Sequence, residues 1–451
     1  MDNTPHPFLS SEIHRFDDAT SFFAFLQATD ARGPLESLWQ LGLSLPHDSL
    51  YPSLSLTEAM LIDPIQLAHV ESVLPWYAHI NVFWLHDLDW LYEHLGRLAT
   101  VAWQADFPLS HDDAIVRRRA PGLPTWFHLW AQLPITKLVV RDHNGVKTVL
   151  TKQTAQYLYE TLPRCHHLKA VDFSGACDVS AIFKWAATST TLVDLGLHFR
   201  SFPNLTPTQL THATQWLTTA PVERIYLSAV NWDPNLNPAV RNAFFIALFT
   251  CPTMQSVALR AMDAPMLDAV TLSMAVPEVH LIEMTVSLAG LRTLAHAIRH
   301  STRLTSVYIH DLTFHDKNTD TEFEELLQAV AASKEVTTFE AIKCRLGDSF
   351  WPRLGPILQT THLETIALSR NAISDKGATW IGHAIQASTT LSKVILDWND
   401  ISVDGVLGLL DSCAHRQPSF SLSVVGVPRH SDSEQALLRT HAQERRVDLT
   451  V

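Results

Sequence analysis

The sequence predicts an α/β solenoid, in which short parallel strands stack into one sheet and each is followed by an outer helix, with a mainly helical module in front. Three observations predict this. Residues 363–390 and the stretch after them carry the same apolar template, offset by 28 residues. The strand core of that template recurs along the chain from residue 135 onward. Before that point the texture changes: seven of the thirteen tryptophans fall in the first 130 residues.

Residues 1–60 read as the helical module. Phe22, Phe23, Phe25 and Leu26 give one helix an apolar face, and Leu35, Leu38 and Trp39 give the next its own; such spacing marks the inward side of a helix. Leu9-Ser10-Ser11-Glu12-Ile13 followed by Asp18-Ala19-Thr20-Ser21-Phe22 resembles an F-box, whose opening Leu-Pro-x-Glu-Ile and later Ser-Leu-x-x-Phe flank short helices. Ser10 departs from the expected Pro, and the segment between Ile13 and Asp17 is short for a first helix. The resemblance implies docking to an adaptor of a cullin-type ubiquitin ligase through Leu9, Ile13, Phe22, Phe25 and Trp39. A plain helical cap is the alternative, because an uncovered solenoid end exposes core. Residues 61–134 are expected to form an irregular Trp-rich capping and linking region, since Trp is large and mostly buried. Within it AHINVFWL and LATVAW read as strands of leading repeats around a helix at 87–97.

Residues 135–428 hold the stack. In the clearest unit Leu363, Ile366 and Leu368 read L-x-x-L-x-L, followed by Asn371, Ile373, Gly377, Ile381 and Ile385. The next unit gives Leu391, Val394, Leu396, Asn399, Ile401, Gly405 and Leu409. The strand puts alternate residues inward, where units stack. The Asn side chain can bond backbone groups that the turning chain leaves bare. The Gly falls where the chain enters its helix, where little room or an unusual φ is expected. Elsewhere the strand core starts at Ile135, Leu168, Leu192, Val222, Met254, Val279, Leu304 and Val336, and a strand at 420–425 closes the stack. Earlier units hold His143, Ala176 and Arg200 at the Asn position. Leu288, Leu291, Leu294, Ala295 and Ile298 mark one helix, and residues 321–333 another, opening with acidic residues as a helix start favours. Residues 429–451 are expected to be a tail whose helix caps the far end.

The pattern L-x-x-L-x-L-x-x-N-x-L followed by a helix resembles the leucine-rich repeat family, in its long ribonuclease-inhibitor-like class. The resemblance implies a leucine-rich-repeat solenoid, a horseshoe with a parallel concave sheet and outer helices. A doubly wound sheet uses the same elements, but no Gly-rich phosphate loop follows any strand.

The chain is 46% apolar and 18% charged, with a net charge of −13. That is a globular composition, opposite in sign to what a nucleic-acid grip requires; Arg117-Arg118-Arg119 is the only tight basic cluster. No apolar run approaches the ~20 residues of a membrane helix, and the first sixteen residues lack the pattern of a secretory signal. Cys165, Cys177, Cys251, Cys344 and Cys413 are scattered, as suits reduced thiols inside a cell. Neither nucleic acid nor membrane is expected as a partner, and the expected location is cytoplasmic, with a nuclear one left open. No P-loop, H-E-x-x-H helix or G-x-S-x-G elbow occurs. Cys165-His166-His167 with Cys177 lacks zinc-finger spacing. No catalytic residue, cofactor or metal is expected. Ran-type GTPase activators share the repeat class, which leaves Arg370-Asn371 open to a role on a partner's nucleotide; Asn371 has the better-supported structural job.

Protein binding is the function expected. Residues between the inward letters of each strand face the concave surface, and Tyr, Trp and Arg anchor interfaces. Arg224, Tyr226, Tyr308 and Trp398 lead, with Glu223 and Lys393 beside them, as contacts to a protein target. With a working F-box the chain is the substrate receptor of a ligase, a tether acting through effective concentration. Without one it is a stand-alone scaffold or sensor.

Overall fold

The computed structural model describes residues 16, 18–28, 34–85, 87–110, 112, 122–141, 150–175, 177–263, 273–314, 320–414, 420–426 and 431–451. Leu9, Ile13, Arg117-Arg118-Arg119, His143 and Ala176 lie outside them. The chain forms two compact units, Met1–Arg200 and Ser201–Val451.

In the first unit, helices Ala19–Ala28 and Pro34–Ser44 precede six strands: β1 (Leu54–Leu56), β2 (His79–Val82), β3 (Thr100–Trp103), β4 (Ile135–Val140), β5 (Ala170–Ser174) and β6 (Asp194–His198). They pair in parallel and in chain order. A parallel pair needs a return crossing, and helices Glu58–Ile62, Pro64–Val73, Leu88–His94, Leu123–Trp130, Lys152–Thr161 and Val179–Ala186 lie in the crossings. Regular pairing therefore begins at Leu54. β2 and β3 lie where AHINVFWL and LATVAW were expected to be strands, and residue 60 falls inside the helix Glu58–Ile62. A register shift between Val101 and Ala102 is a local irregularity. Three of the seven tryptophans sit in the core: Trp103, Trp126 and Trp130 are fully buried, while Trp39, Trp76, Trp84 and Trp90 are half-buried. Trp103 meets Trp126 and Trp130 edge to face at 5.9 and 6.1 Å between ring centroids, a favoured aromatic geometry.

The second unit contains β7 (Asn204–Leu205), β8 (Arg224–Ser228), β9 (Asn231–Trp232), β10 (Ser256–Arg260), β11 (Glu278–Ile282), β12 (Thr285–Val286), β13 (Ser306–His310), β14 (Thr313–Phe314), β15 (Thr338–Ile342), β16 (Thr365–Ala367), β17 (Lys393–Ile395), β18 (Phe420–Ser423) and β19 (Val447–Thr450). The two-residue strands pair as β7 with β9 and β12 with β14. The others form one parallel sheet in chain order. Val279 stands opposite Val257 and Val307, at the second apolar letter of its template. That unit therefore starts at Val276, not Val279, and buried Met284 occupies its Asn position. The C-terminal segment is more than a capping helix: after Asp432–Arg445, β19 joins the sheet beside β18.

Three devices hold successive units together. First, the Asn ladder is real. Asn371 is 1% exposed; its Oδ1 accepts from the N–H groups of Cys344 and Leu346 one unit back, at 2.8 and 3.3 Å. Its Nδ2 donates to the carbonyls of Ala341, Leu368 and Ser369. Asn399 repeats the role toward Asn371 and Ile373. Cys344 holds the same position one unit earlier, and its thiol donates to the Ile309 carbonyl at 3.5 Å. Burial pushes that thiol up to about 12, so it acts as a weak polar spacer.

Second, each of these helix starts is tied to the unit before it. The Asp348 carboxylate accepts from the N–H groups of Ser374 and Gly377 and from the Ser374 hydroxyl, and Asp375 does the same for Ser402. The glycines there answer to room rather than to φ. A Cβ on Gly377 would lie 2.6 Å from Ile373 Cγ2 and 2.8 Å from Trp351 Cδ1, and one on Gly405 2.1 Å from Asp375 Oδ1.

Third, the residue just before the Asn position is left-handed in unit after unit: Ala229, Ala261, Glu283, Asp311, Lys343, Arg370 and Trp398 have φ from 50° to 59°. The chain turns off the strand at this point. Glu283 fits the series only with Val276 as the start of its unit.

Candidate binding face

Along β8, β10, β11, β13 and β15 the second and fourth residues are buried. Alternation turns the first, third and fifth to the opposite side of the sheet. In-register pairing then builds columns. One runs Tyr226, Ala258, His280, Tyr308, Glu340. A second runs Arg224, Ser256, Glu278, Ser306, Thr338, Thr365, Lys393.

At the centre the His280 and Tyr308 rings stack at 4.2 Å and 4° between planes. His280 Nε2 lies 2.5 Å from Glu278 Oε1, which also accepts from the Ser256 hydroxyl at 3.2 Å. His310 Nε2 lies 3.3 Å from Glu340 Oε2. Arg260 donates two hydrogen bonds to Glu283, at 2.8 and 3.3 Å. Hydrogen bonds to Glu283 and then Tyr226 hold the Arg260 guanidinium above its ordinary value. Burial pushes the Tyr308 phenol up; a hydrogen bond with Ser306 opposes this, and the charges of Glu278 and Glu340 add to it. Lys343 is bonded to Asp311 at the end of the next strands.

The structure thus brings Tyr226 and Tyr308 into one column, and Arg224 and Lys393 into another, at its two ends. Glu223 is exposed just ahead of β8. Trp398 stands apart, in the left-handed turn after β17; it is 56% exposed, with the Arg370 guanidinium 5.3 Å from its ring. Gly426 beneath it has no room for a Cβ, which would meet Trp398 Cδ2 at 2.6 Å. Sequence reasoning missed Glu278, Arg260 and His310. Glu278 was hidden by the register of its unit, and Arg260 and His310 by counting only the positions between apolar letters; strict alternation past the last one finds them.

In the first unit Phe22 is 2% exposed and stacks on Tyr51 at 4.6 Å. Its side chain holds the helix to the chain's own body, so an adaptor cannot reach it in this packing. Phe25 is half-buried beside Phe16 at 5.1 Å, and Trp39 is half-buried. Leu43, Ile62 and Ile65, unremarked in the sequence, are 63%, 62% and 72% exposed on neighbouring helices. Cys165 and Cys177 are pushed up to about 12 by burial. Among the described residues no group of three or more His, Cys, Asp or Glu is placed to hold a metal, and no helix is long and apolar enough to cross a membrane.

A sequence model described as a leucine-rich repeat matches residues 359–381. No curated protein matches the chain. Among solved structures the chain is similar to one in the crystal structure of the yeast Rad7 and Elc1 complex, at 12% identity and a TM-score of 0.43, over 68% of this chain and 75% of that one. Residues 359–381 thus match a leucine-rich repeat, and the two units at 363–413 share its template, ladder and parallel stacking.

Proposed function

We propose that this protein binds a protein partner on the open side of the second unit's sheet. The observation that carries the reading is the file of aromatic and charged side chains from Tyr226 to Glu340, standing in register on the parallel strands of one sheet. Rigid display of aromatic and Arg anchors lowers the ordering cost of binding. A concave, horseshoe form and membership of the ribonuclease-inhibitor-like class belong to this proposal; the 28-residue offset from Leu363 to Leu391 and the 13-residue helix Asp375–Ala387 between them support them. The test is affinity capture with the intact chain and with a variant carrying Arg224→Ala, Tyr226→Ala, Tyr308→Ala and Trp398→Ala. Loss of a partner from the variant, with its melting unchanged, supports the reading; full retention sinks it.

One observation favours a second role, that of substrate receptor in a cullin-type ligase. Leu43, Ile62 and Ile65 leave apolar side chains in water on the helices of the first unit, as a docking surface for an adaptor would. Co-purification of a cullin adaptor that is lost on replacing all three with Asp tests it. An adaptor that never co-purifies removes the ligase link and leaves a stand-alone scaffold.

A further inference from the structure

The helix Leu288–His300, between β12 and β13, buries Leu291, Leu294, Ala295, Ala297 and Ile298 and turns His296 and His300 to solvent. The two histidines are four residues apart, so they stand one above the other on one face. Their ring centroids are 4.1 Å apart, with 34° between planes. His300 Nδ1 lies 2.8 Å from the His296 carbonyl oxygen. A carbonyl only accepts, so Nδ1 carries the hydrogen, and the neutral ring keeps its lone pair on Nε2. Metal-binding histidines are oriented in this way, by a second ring nitrogen tied to a carbonyl. Among the described residues no hydrogen bond occupies His300 Nε2 or either ring nitrogen of His296. His94 shows the contrast. Its Nδ1 donates to the Trp90 carbonyl at 2.8 Å in the same manner, but the ring stacked on it four residues back is Trp90, which has no lone pair to offer.

Two nitrogens on one tetrahedral ion lie about 3.4 Å apart, and rings with centroids at 4.1 Å stand close to that spacing. The pair sits at the C-terminal end of its helix, where the helix dipole favours a cation. Arg299, exposed between them in sequence, works the other way. Arg292 is drawn toward Glu325 at 3.7 Å and Arg303 donates to the Pro252 carbonyl. Imidazole nitrogen suits zinc and copper, whereas magnesium and calcium take oxygen. His-x-x-x-His is the spacing of a zinc-binding helix, but Ala297 stands where such a helix carries its catalytic Glu. The pair can hold an ion and supplies no base. We infer that His296 and His300 form a two-histidine site for a borderline divalent metal ion such as zinc, with its remaining coordination positions open. The site lies on a helix and not on the sheet face, so it stands or falls independently of the binding function proposed above.

The test uses the full chain, with zinc ion as the probe and magnesium ion as its oxygen-seeking counterpart. Diethyl pyrocarbonate, which acylates free imidazole nitrogen, is applied with and without each ion, and peptide mass spectrometry reads each histidine. His383, exposed on the helix Asp375–Ala387 with no second histidine four residues away, is the internal control. Zinc should protect His296 and His300 together and leave His383 reactive, and magnesium should protect none of them. In His296→Gln and in His300→Gln, each checked for unchanged melting, the remaining ring should need roughly tenfold more zinc or above for the same protection, because the second ligand no longer acts at high effective concentration. His383→Gln should leave the protection of the pair unchanged. Equal protection of His383, or protection of one ring that survives loss of the other at the same zinc concentration, means adventitious single-ring binding only and overturns the inference. Absence of protection in the wild type overturns it as well.

Discussion

Replacing Asn371 by Ala tests the ladder at its best-formed rung. The side chain is fully enclosed and all its polar capacity is directed at backbone. Removal leaves the N–H groups of Cys344 and Leu346 without their acceptor. The Leu368 carbonyl keeps its bond from Asn399 Nδ2 at 3.0 Å, so the damage falls mainly on the two amides. A buried donor left unsatisfied costs about 1–3 kcal/mol, so Asn371→Ala should lose about 2–6 kcal/mol. The exposed neighbour Arg370→Ala should lose under ~1 kcal/mol. Urea unfolding followed by circular dichroism gives the totals. A stacked array can melt in parts, so hydrogen exchange at the Cys344 and Leu346 amides gives the local answer, with both accelerated. A loss below ~1 kcal/mol with unchanged exchange refutes the argument. It would also revive the catalytic alternative, since an Asn kept for chemistry on a partner's nucleotide is replaceable without loss of stability.

Other perturbations have signs that the structure fixes. Gly377→Ala forces a Cβ against Ile373 and Trp351 and should cost about 1–3 kcal/mol, whereas Gly408→Ala, in the helix Val403–Cys413 with nothing within 4 Å, should gain about 0.5–1 kcal/mol; thermal melts of the pair decide it. Ala261→Gly, at φ 50°, should stabilise by roughly 0.5–1 kcal/mol, opposite to the usual cost of glycine. Burial pushes the Asp348 carboxyl up, but the hydrogen bonds from Ser374 and Gly377 and the charge of Lys376 outweigh it and hold the group below its ordinary 3.8. A carboxyl lowered on folding adds stability that is present above 3.8 and lost as pH falls through the lowered value. The gap between wild type and Asp348→Asn should therefore be flat above pH 5 and shrink below pH 4.

The two best-preserved units were legible because their letters are the ones that stacking demands: the apolar triplet, the Asn, and a Gly without room for a Cβ. What escaped did so for physical reasons. The left-handed residue before the Asn position carries Ala, Glu, Asp, Lys, Arg or Trp; each donates its N–H to a carbonyl of the next unit, and no glycine announces the turn. The start at Val276 was obscured because Val276-Val279-Leu281 and Val279-Ile282-Met284 both fit the apolar triplet, and only the neighbouring strands choose between them. The early units hide because Trp103, Phe107, Trp126, Phe127 and Trp130 take core places beside the leucines. β19 is four residues after a polar helix, and becomes a strand only because β18 offers it an edge. On the binding face the anchors Tyr226 and Tyr308 were visible as letters. Their neighbours Glu278, Arg260 and His310 required the register.

Site-directed photo-crosslinking tests the binding claim most directly. A photoreactive phenylalanine derivative is placed singly at Ser306 or Thr338 on the open side of the sheet, and at Gln386 or Asp404 on the helices, with the chain in its native extract. The account predicts one and the same partner crosslinked from both sheet positions and absent from both helix positions; a partner crosslinked from the helices and not from the sheet contradicts it.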